Sequence, residues 1–509
     1  MTRIAFHSHA LYDLDSVNFA LGMHRFAPPV HQPHPPGYFL YICLGRLLNF
    51  FFHDPNLSLV MLSVVSSCGL VILIYQLTRE WFGEDAARFA ATLFLLSPLA
   101  WFHGIVALTY IVEAFFSGLM GYLCWRTYSG DDKFALPSAI ALGISAGVRP
   151  SSLLFLTPIF LLSLSAATLR RKLLSLTVLA LTLIAWFIPM IHASGGLKAY
   201  LQALTFLWRV VPAKETVFSS SPATSIVRAI TIAFIYLLCF GAASLAPFGA
   251  MLVPEPADPR KKWFTLAWIA PGLIFFTFGY LKFVNSGYLL LLCAPACLWL
   301  GFWASAWYER APWSRALKLT TITACAAINV LIFLASPLYC SYRSVRHFEA
   351  ELGNIRSTLL QLAPANDTLI VSVDSHFLGF RHAGYYLPDS MTLEYPEIKL
   401  SDGYHAFVMH NADTHLAAEL PIAGYSRFIF FPLPAGDITY QQYMQKLEAQ
   451  LPPQDLVTTS LGGHDYVSAP IRDLPLLFPH IGLVPGPAAE TGVYAPLHSR
   501  IQPVNSRSH

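Results

Sequence analysis

Long apolar runs separated by short polar loops dominate the chain up to about residue 340. Most runs approach the roughly 20 residues that a helix needs to cross a bilayer, although several are shorter. The pattern therefore predicts about ten transmembrane helices. Their predicted ranges are 56–78, 88–104, 106–125, 134–148, 151–168, 173–192, 226–251, 263–281, 285–305 and 319–338.

The segment before the first predicted span is different. Residues 1–37 are polar and rich in His and Pro, and they lack the apolar core of a signal peptide. The following run, 38–52, is apolar but is interrupted by Arg46 and Asn49. We interpret this run as an interfacial helix that lies along the membrane surface.

After residue 340 the pattern becomes that of a water-soluble domain. Apolar residues at helical spacing predict an amphipathic helix over 345–362, and the apolar run 367–374 predicts a buried strand. A short helix and two further strands follow near 376–386, 427–431 and 464–468. The predicted fold is an all-α polytopic membrane domain over 1–340, with a first external loop over 1–55, and a small α/β domain over 341–509.

Basic residues predict how the spans are oriented. The clusters of Lys and Arg lie on alternate loops, so all of them can lie on one side, which the positive-inside rule identifies as the cytoplasm. The segment 1–55 and everything after about residue 340 then lie outside. The clusters are Arg79 and Arg88; Arg126 and Lys133; Arg170, Arg171 and Lys172; Arg260, Lys261 and Lys262; Arg310, Arg315 and Lys318.

Composition agrees with a membrane protein and disfavours other classes. Only 12% of the residues are charged, about half the proportion in soluble globular chains. Nearly all of the eight cysteines lie inside apolar runs, which is typical of small buried side chains and not of a disulfide framework or a zinc site. No basic stripe interleaves with aromatic residues on a polar face, so nucleic acid is not expected as a partner.

The candidate chemistry lies in the first external segment. Asp13 and Asp15 come just before a predicted amphipathic helix, where Asp15 can be its N-cap or lie in its first turn. The simplest interpretation is that Asp15 only caps this helix. The sequence His31-Gln-Pro-His-Pro-Pro-Gly-Tyr38 then turns the chain back to the bilayer, because its prolines and glycine favour a rigid turn. A rigid loop that holds carboxylates over a membrane cavity is a plausible place for catalysis.

Ionisable residues at the outer ends of predicted spans are further candidates. Glu113 is functional if it lies at membrane depth, or incidental if it lies in the wet interface. Arg149 and Lys282 can bind an anionic group, since Arg offers bidentate contacts and Lys a point charge. The alternative is that both side chains extend to the headgroups.

The order of these short motifs resembles the GT-C glycosyltransferases, in particular bacterial proteins related to protein O-mannosyltransferases and to the aminoarabinose transferases of lipid A. The likeness covers roughly residues 11–300. It is carried by Asp15-Ser-Val-Asn-Phe-Ala-Leu, His31-Gln-Pro-His-Pro-Pro-Gly-Tyr38, and motifs within 75–83, 143–150 and 282–288.

The resemblance implies a function. Such enzymes take a sugar from a polyprenyl-phosphate or diphosphate carrier in the membrane and transfer it, outside the cytoplasm, to a lipid, glycan or protein. It implies Asp15 as the general base, with Asp13 second, and inversion of the anomeric centre. The substrate-binding residues that it implies are Glu113, Arg149, Lys282, His34 and Tyr288. No cofactor is certain, and a divalent metal held by carboxylates with His31 or His34 is possible.

Other interpretations remain open. A transporter should show inverted repeats and charges at the bilayer midplane, and none is evident in the sequence. A ligase or polymerase of lipid-linked glycans, or a non-catalytic membrane protein, would also fit the topology. The family normally has a helix before its catalytic loop, so we expect either a further helix upstream of Met1 or insertion of the first two spans as a hairpin. The expected location is the bacterial cytoplasmic membrane.

Overall fold

The computed structural model describes residues 2–210, 227, 230, 258–276, 283–337, 340–400, 403–432 and 444–484. The chain divides into two compact units. The helical unit comprises Met1–His9, Tyr38–Met190 and Leu204–Arg346, and the α/β unit comprises Ala10–Gly37, Ile191–Ala203 and His347–His509. This division differs from the predicted boundary at residue 340, because residues 10–37 belong to the same unit as the C-terminal domain.

Helices account for nearly all of the described part of the helical unit. Polar N-caps define several starts: Asp54 accepts a hydrogen bond from Leu57 N at 3.0 Å, and Ser314 accepts one from Leu317 N at 3.2 Å. The helices are Thr2–Ala5, Phe39–Phe52, Pro55–Phe82, Glu84–Leu95, Pro98–His103, Tyr110–Tyr128, Ala135–Val148, Ser151–Leu164, Leu169–Ala193, Leu197–Val210, Pro259–Ile274, Cys293–Arg310, Arg315–Ala335 and Tyr342–Leu362, with 3₁₀ segments Asp132–Phe134 and Phe283–Leu292. Leu169–Ala193, Leu197–Val210 and Tyr342–Leu362 each have residues in both units.

Four of the described helices are long and apolar enough to cross a membrane: Pro55–Phe82, Leu169–Ala193, Ser286–Arg310, which includes the end of the 3₁₀ segment, and Arg315–Ala335. The predicted run 226–251 lies outside the described residues apart from positions 227 and 230, as does the end of the run 263–281. The other predicted spans all overlap with helices.

One predicted span needs correction. The run 88–104 is not a single helix, because Glu84–Leu95 ends before Ser97 and a new helix, Pro98–His103, begins there. The Ser97 side chain caps the second helix, and Pro98 occupies its first position. A proline is tolerated there because the N–H that it lacks would have no partner within the helix. Periodicity alone does not reveal this break.

The packing of the helical unit depends on small residues. A Cβ on Gly121 would lie 1.9 Å from the ring of Trp268, so only glycine admits this ring. Trp268 Nε1 donates to Ser117 Oγ at 2.9 Å, and Ser117 Oγ donates to the Leu291 carbonyl at 2.8 Å. In contrast, the helix Leu169–Ala193 leaves many large apolar side chains exposed. Such a surface suits lipid as its solvent.

The α/β unit is built on a mixed sheet. The predicted strand 367–374 is present as β1, and it lies at the centre, parallel to β2 on one side and to β7 on the other. The sheet order is β3-β4-β2-β1-β7-β9-β8, with β5 paired to β4, and β6 and β10 form a separate parallel pair. The strands are β1 (Thr368–Val373), β2 (Thr392–Tyr395), β3 (Ile398–Leu400), β4 (Gly403–His410), β5 (Asp413–Ala417), β6 (Glu419–Pro421), β7 (Arg427–Phe430), β8 (Val457–Leu461), β9 (His464–Pro470) and β10 (Gly482–Val484).

The two faces of this sheet differ. Alternate residues of β1, β2, β4 and β7 form an apolar core that includes Leu369, Val371, Leu393 and Phe428. The opposite face of β4 packs against the helix Phe380–Tyr386, where a Cβ on Gly384 would lie 2.3 Å from Met409 Sδ. The other helices of the unit are Leu14–His24 and Leu474–Leu477, with 3₁₀ turns Pro28–Val30, Pro453–Asp455 and Ile471–Asp473.

Candidate functional site

Two polar clusters, one in each unit, contain most of the residues that the sequence singles out. In the α/β unit, Asp13 is the N-cap of the helix Leu14–His24, and its Oδ1 accepts a hydrogen bond from Asp15 N at 2.9 Å. Asp15 lies in the first turn. The cap is therefore Asp13, and the interpretation of Asp15 as the cap is wrong, whereas its placement in the first turn is confirmed.

The two carboxylates have different environments. Asp13 is buried, and burial followed by the charge of Asp15 raises the pKa of Asp13 well above its usual value. The Asp15 side chain is 27% exposed, and its Oδ1 lies 3.3 Å from Nδ1 of His34. Asp15 is thus the accessible carboxylate of the pair, and a polar ring lies next to it.

The segment that carries Asp15 and His34 is held firmly within the α/β unit. Gln32 is completely buried, and its amide donates to Asp413 Oδ1 at 3.1 Å and accepts from Thr414 N at 2.5 Å. Arg25 Nε forms an ion pair with the same Asp413 oxygen at 2.6 Å. At the other end of the segment, Leu14 N donates to the His376 carbonyl at 2.9 Å. These bonds fix the loop against the C-terminal strands.

The C-terminal part of the α/β unit adds charged groups that sequence reasoning did not identify as site residues. Asp374 follows β1 directly, and its carboxyl interacts electrostatically with Arg381, Asp15 and His34. Glu394 lies on β2. Burial, with a further contribution from Asp374, raises the pKa of Glu394 to about 8. The available signal was the position of Asp374 at the carboxyl end of a predicted strand, where α/β proteins often bind ligands.

The helical unit contains a buried ion pair between two predicted residues. Arg149 Nε lies 3.1 Å from Glu113 Oε2, and both side chains are less than 5% exposed. Ser151 and Ser152 donate to Glu113 Oε1 at 3.1 and 3.0 Å, while Arg149 Nη1 donates to Thr109 Oγ1 at 2.9 Å. Both charges are therefore paired and hydrogen-bonded, as buried charges require.

Local structure explains this arrangement. Glu113 lies in the first turn of Tyr110–Tyr128, and Arg149 caps the end of Ala135–Val148 with its N–H bonded to the Ser145 carbonyl at 2.8 Å. The next helix starts at once with Ser151. Because Arg149 is buried, the alternative in which its side chain extends to the headgroups is wrong, and Glu113 does not lie in a wet interface.

Aromatic rings cover the Arg149 guanidinium. Its Cζ lies 4.3 Å from the ring centroids of both Tyr110 and Tyr288, and 6.0 Å from that of Tyr38. A Cβ on Gly287 would lie 2.3 Å from the Tyr110 ring, so this glycine permits the close approach. Of the predicted substrate-binding residues, Glu113, Arg149 and Tyr288 are thus brought together.

Two predicted substrate-binding residues, Lys282 and His34, are not among the described residues of this cluster. Lys282 lies outside the described residues. His34 belongs to the α/β unit. Within the described ranges, no group of three or more His, Cys, Asp or Glu side chains is arranged to hold a metal ion. His31 is half-buried, and desolvation followed by the charge of Arg381 lowers its pKa to about 3.

Comparison with known proteins supports the predicted resemblance. Residues 27–172 match the N-terminal domain of the protein O-mannosyl-transferase TMEM260. No curated protein sequence matches the chain significantly.

Among solved structures, ArnT from Cupriavidus metallidurans bound to undecaprenyl phosphate aligns with a TM-score of 0.58 and 10% identity, covering 92% of this chain and 95% of ArnT. Apo ArnT from the same organism gives a TM-score of 0.45 with 12% identity, covering 70% and 67%. The apo oligosaccharyltransferase of Archaeoglobus fulgidus gives 0.39 with 14% identity, covering 76% and 61%. The fold comparison rests on the first of these.

The predicted fold class, a helical membrane bundle with a small α/β domain, is confirmed. The predicted resemblance is confirmed as well. The chain therefore has the fold of ArnT, and its residues 27–172 are similar to the N-terminal domain of the protein O-mannosyl-transferase TMEM260.

Proposed function

We propose that this protein is a membrane glycosyltransferase that moves a sugar from a polyprenyl-phosphate carrier to an acceptor hydroxyl on the extracytoplasmic side of a bacterial cytoplasmic membrane. The observation that supports the proposal most is the fold shared along 92% of the chain with ArnT, which was solved bound to undecaprenyl phosphate. The match of residues 27–172 to a protein O-mannosyl-transferase domain points to the same class of reaction.

In the proposed mechanism Asp15 is the general base. Its carboxylate takes the proton of the acceptor hydroxyl while the acceptor oxygen bonds to the anomeric carbon. The bond from that carbon to the carrier phosphate breaks, and the phosphate leaves with the electron pair. Attack opposite the leaving phosphate inverts the anomeric centre. Asp15 is favoured over Asp13 because Asp13 is buried and its oxygen is used in capping.

His34 is proposed as a positioning residue for this base and as a contact for the substrate. Its Nδ1 lies 3.3 Å from Asp15 Oδ1, so the ring can restrict the rotamer of the carboxylate. The fixed anchoring of the loop through Gln32 supports this role, because a base must keep its position relative to the acceptor.

Arg149 and Lys282 are proposed to bind the carrier phosphate, with Glu113 and Tyr288 as supporting contacts. Glu113 occupies Nε of Arg149 and Thr109 occupies Nη1, whereas Nη2 has no hydrogen-bond partner among the described residues. A guanidinium held on one edge and covered by tyrosine rings is rigid, which favours bidentate recognition of an oxyanion.

The test compares Asp15→Asn with Asp13→Asn. The full-length protein is reconstituted in liposomes with a panel of radiolabelled undecaprenyl-phosphate sugars and the lipid, glycan and peptide acceptors of its host. Asp15→Asn should lower transfer by at least about 100-fold, the usual contribution of a general base. Asp13→Asn should keep most of the activity, because an asparagine also caps a helix.

Equal expression and the same elution volume of both variants provide the control for folding. Full activity of Asp15→Asn, or an equal loss in both variants, would remove Asp15 from the proposed role. A protein that transfers no sugar from any donor of the panel would contradict the proposed function itself.

A further inference from the structure

The second half of β1 and the adjoining strand β2 carry a row of polar side chains on one face. In the parallel register Ser372 lies opposite Glu394, and Thr392 lies opposite Ile370. Side chains alternate along a strand, so Ser372, Thr392 and Glu394 share a face, and Asp374 continues it two residues after Ser372. The opposite face of the same strands belongs to the apolar core.

These polar groups have unused hydrogen-bonding capacity. Ser372 Oγ and Thr392 Oγ1 are buried and have no hydrogen-bond partner among the described residues. Native structures rarely leave a buried hydroxyl unpaired, since this costs about 1–3 kcal/mol. Glu394 is half-buried and Asp374 is exposed, and no described residue donates a hydrogen bond to either carboxyl group. The row is therefore poorly satisfied by the protein itself, and its Asp374 end is open to a ligand.

A buried cation lies beside this row. Arg381 is 2% exposed, its Nη1 donates to Thr414 Oγ1 at 2.8 Å, and its Nη2 donates to the Val30 carbonyl at 3.2 Å. Its charge interacts with both Asp374 and Glu394 without forming a hydrogen bond to either. A cation at this position disfavours the binding of a metal ion and favours a neutral polar ligand.

The row is connected to the loop that carries the proposed base. The backbone bond from Leu14 to the His376 carbonyl joins the start of the helix Leu14–His24 to the loop that follows β1. Asp374, the first residue of that loop, interacts electrostatically with Asp15 and His34. All of these residues belong to the α/β unit, so the row lies near Asp15 within one compact body.

We propose that Asp374, Glu394 and Arg381, with the hydroxyls of Ser372 and Thr392, form a subsite that binds the hydroxyl groups of a sugar. The proposal rests on the proposed function and names where a substrate sugar is held. Carboxyls, hydroxyls and a guanidinium together offer the mixture of donors and acceptors that a polyol requires. Crevices at the carboxyl ends of parallel strands are common ligand sites. The sugar is either the one on the carrier or one in a glycan acceptor.

The test measures binding of sugars directly, independently of transfer. The full-length protein in lipid nanodiscs is titrated with methyl glycosides of mannose, glucose, galactose and arabinose, followed by saturation-transfer NMR. At least one glycoside should bind, and Asp374→Asn and Glu394→Gln should each weaken its binding about tenfold, the effect of losing one hydrogen bond. Asp389→Asn, an exposed carboxylate in the same unit, is the matched control and should bind normally.

A conservative variant protects the test against misfolding. Ser372→Ala removes only a hydroxyl that bonds to no described residue, so the fold should be retained or stabilised while glycoside affinity falls several-fold. Unchanged affinity in Ser372→Ala, Asp374→Asn and Glu394→Gln would overturn the proposal. The absence of binding by any glycoside would overturn it as well.

Two further measurements separate the sources of the sugar and the two proposals. Displacement of the glycoside by an undecaprenyl-phosphate sugar would assign the subsite to the donor, and displacement only by a glycan acceptor would assign it to the acceptor. Glycoside binding that depends on Asp374 in a protein without transferase activity would keep the subsite and remove the proposed function. Normal transfer with no effect of these substitutions on glycoside binding would keep the proposed function and remove the subsite.

Discussion

The ion pair between Glu113 and Arg149 should contribute strongly to the stability of the helical unit. Both side chains are less than 5% exposed, and the distance between Nε and Oε2 is 3.1 Å. Removing one member leaves the other charge buried without its partner, which costs about 3–5 kcal/mol. Glu113→Gln and Arg149→Met should therefore each destabilise the protein by about 3 kcal/mol, or lower its Tm by roughly 6–12 °C at about 2–4 °C per kcal/mol.

The double variant distinguishes a true pair from two independent sites. With neither charge present, the amide oxygen introduced by Glu113→Gln would still accept hydrogen bonds from Ser151 and Ser152. We therefore expect the double variant to lose about as much stability as one single variant rather than the sum of both. The assay is thermal unfolding in detergent, followed by size-exclusion chromatography of the heated samples.

The ion pair between Arg126 and Glu80 is the matched control. It has a similar distance of 3.4 Å, but its side chains are 35% and 32% exposed. Arg126→Met should cost less than about 1 kcal/mol, because exposed pairs are screened by solvent. The reasoning would be refuted if Glu113→Gln lowered the Tm no more than Arg126→Met does, or if the two substitutions in the buried pair were additive.

Three further predictions concern other parts of the fold. Burial raises the pKa of Glu394 to about 8, so the folded state holds a proton that the unfolded state releases above about pH 4.5. The free energy of unfolding should therefore fall between pH 5 and 8, by at most about 1.4 kcal/mol per pH unit. Glu394→Gln should flatten this slope in urea unfolding curves measured at several pH values. Gly121→Ala should destabilise the protein by about 1–3 kcal/mol, because the added Cβ would overlap Trp268. Gly353→Ala adds a Cβ that meets no atom within 4 Å in a helix, so it should stabilise the protein by up to about 1 kcal/mol. Paired Tm measurements check both substitutions, and equal effects would exclude the packing argument. Gln32→Ala should cost about 1–3 kcal/mol and lower kcat more than it raises KM, since it releases the loop that carries the proposed base; an unchanged kcat would mean that the anchoring is unrelated to activity.

Most of the helices, β1 and the amphipathic helix Tyr342–Leu362 could be predicted from the sequence, because each depends on a periodic pattern within one short segment. The break at Ser97 was missed, since the apolar run continues through it. Short strands such as β2 and β3 were missed as well, because three or four residues carry too little periodicity.

Pairing between distant segments could not be predicted from one sequence. Glu113 and Arg149 were each identified from their positions at span ends, but nothing local indicates that they neutralise each other. Likewise, the contacts of Arg25 with Asp413 and of Leu14 with His376 join segments at opposite ends of the chain. These long-range bonds determine which unit the first polar segment belongs to, and a hydropathy pattern cannot predict them.

The two polar clusters differ in how completely the protein satisfies them, and this difference separates their roles. In the helical unit each oxygen of Glu113 has a partner, and Arg149 is paired, hydrogen-bonded and covered by aromatic rings. A network satisfied to this degree is stable without a ligand. Any contact of Arg149 with a carrier phosphate therefore adds to a structural role, and lost activity in its variants is informative only after stability has been measured.

The polar cluster of the α/β unit, in contrast, contains groups that the described residues leave without hydrogen bonds. Within the described ranges, the hydroxyls of Ser372 and Thr392 have no hydrogen-bond partner, and the carboxyls of Asp374 and Glu394 accept no hydrogen bond. The free energy lost by leaving the buried groups unpaired is recovered only when water or a ligand supplies the missing partners. A ligand rich in hydroxyls should therefore stabilise this unit far more than the helical one. A sugar that raised the Tm of the Ser372→Ala protein as much as that of the unaltered protein would show that these groups do not bind it.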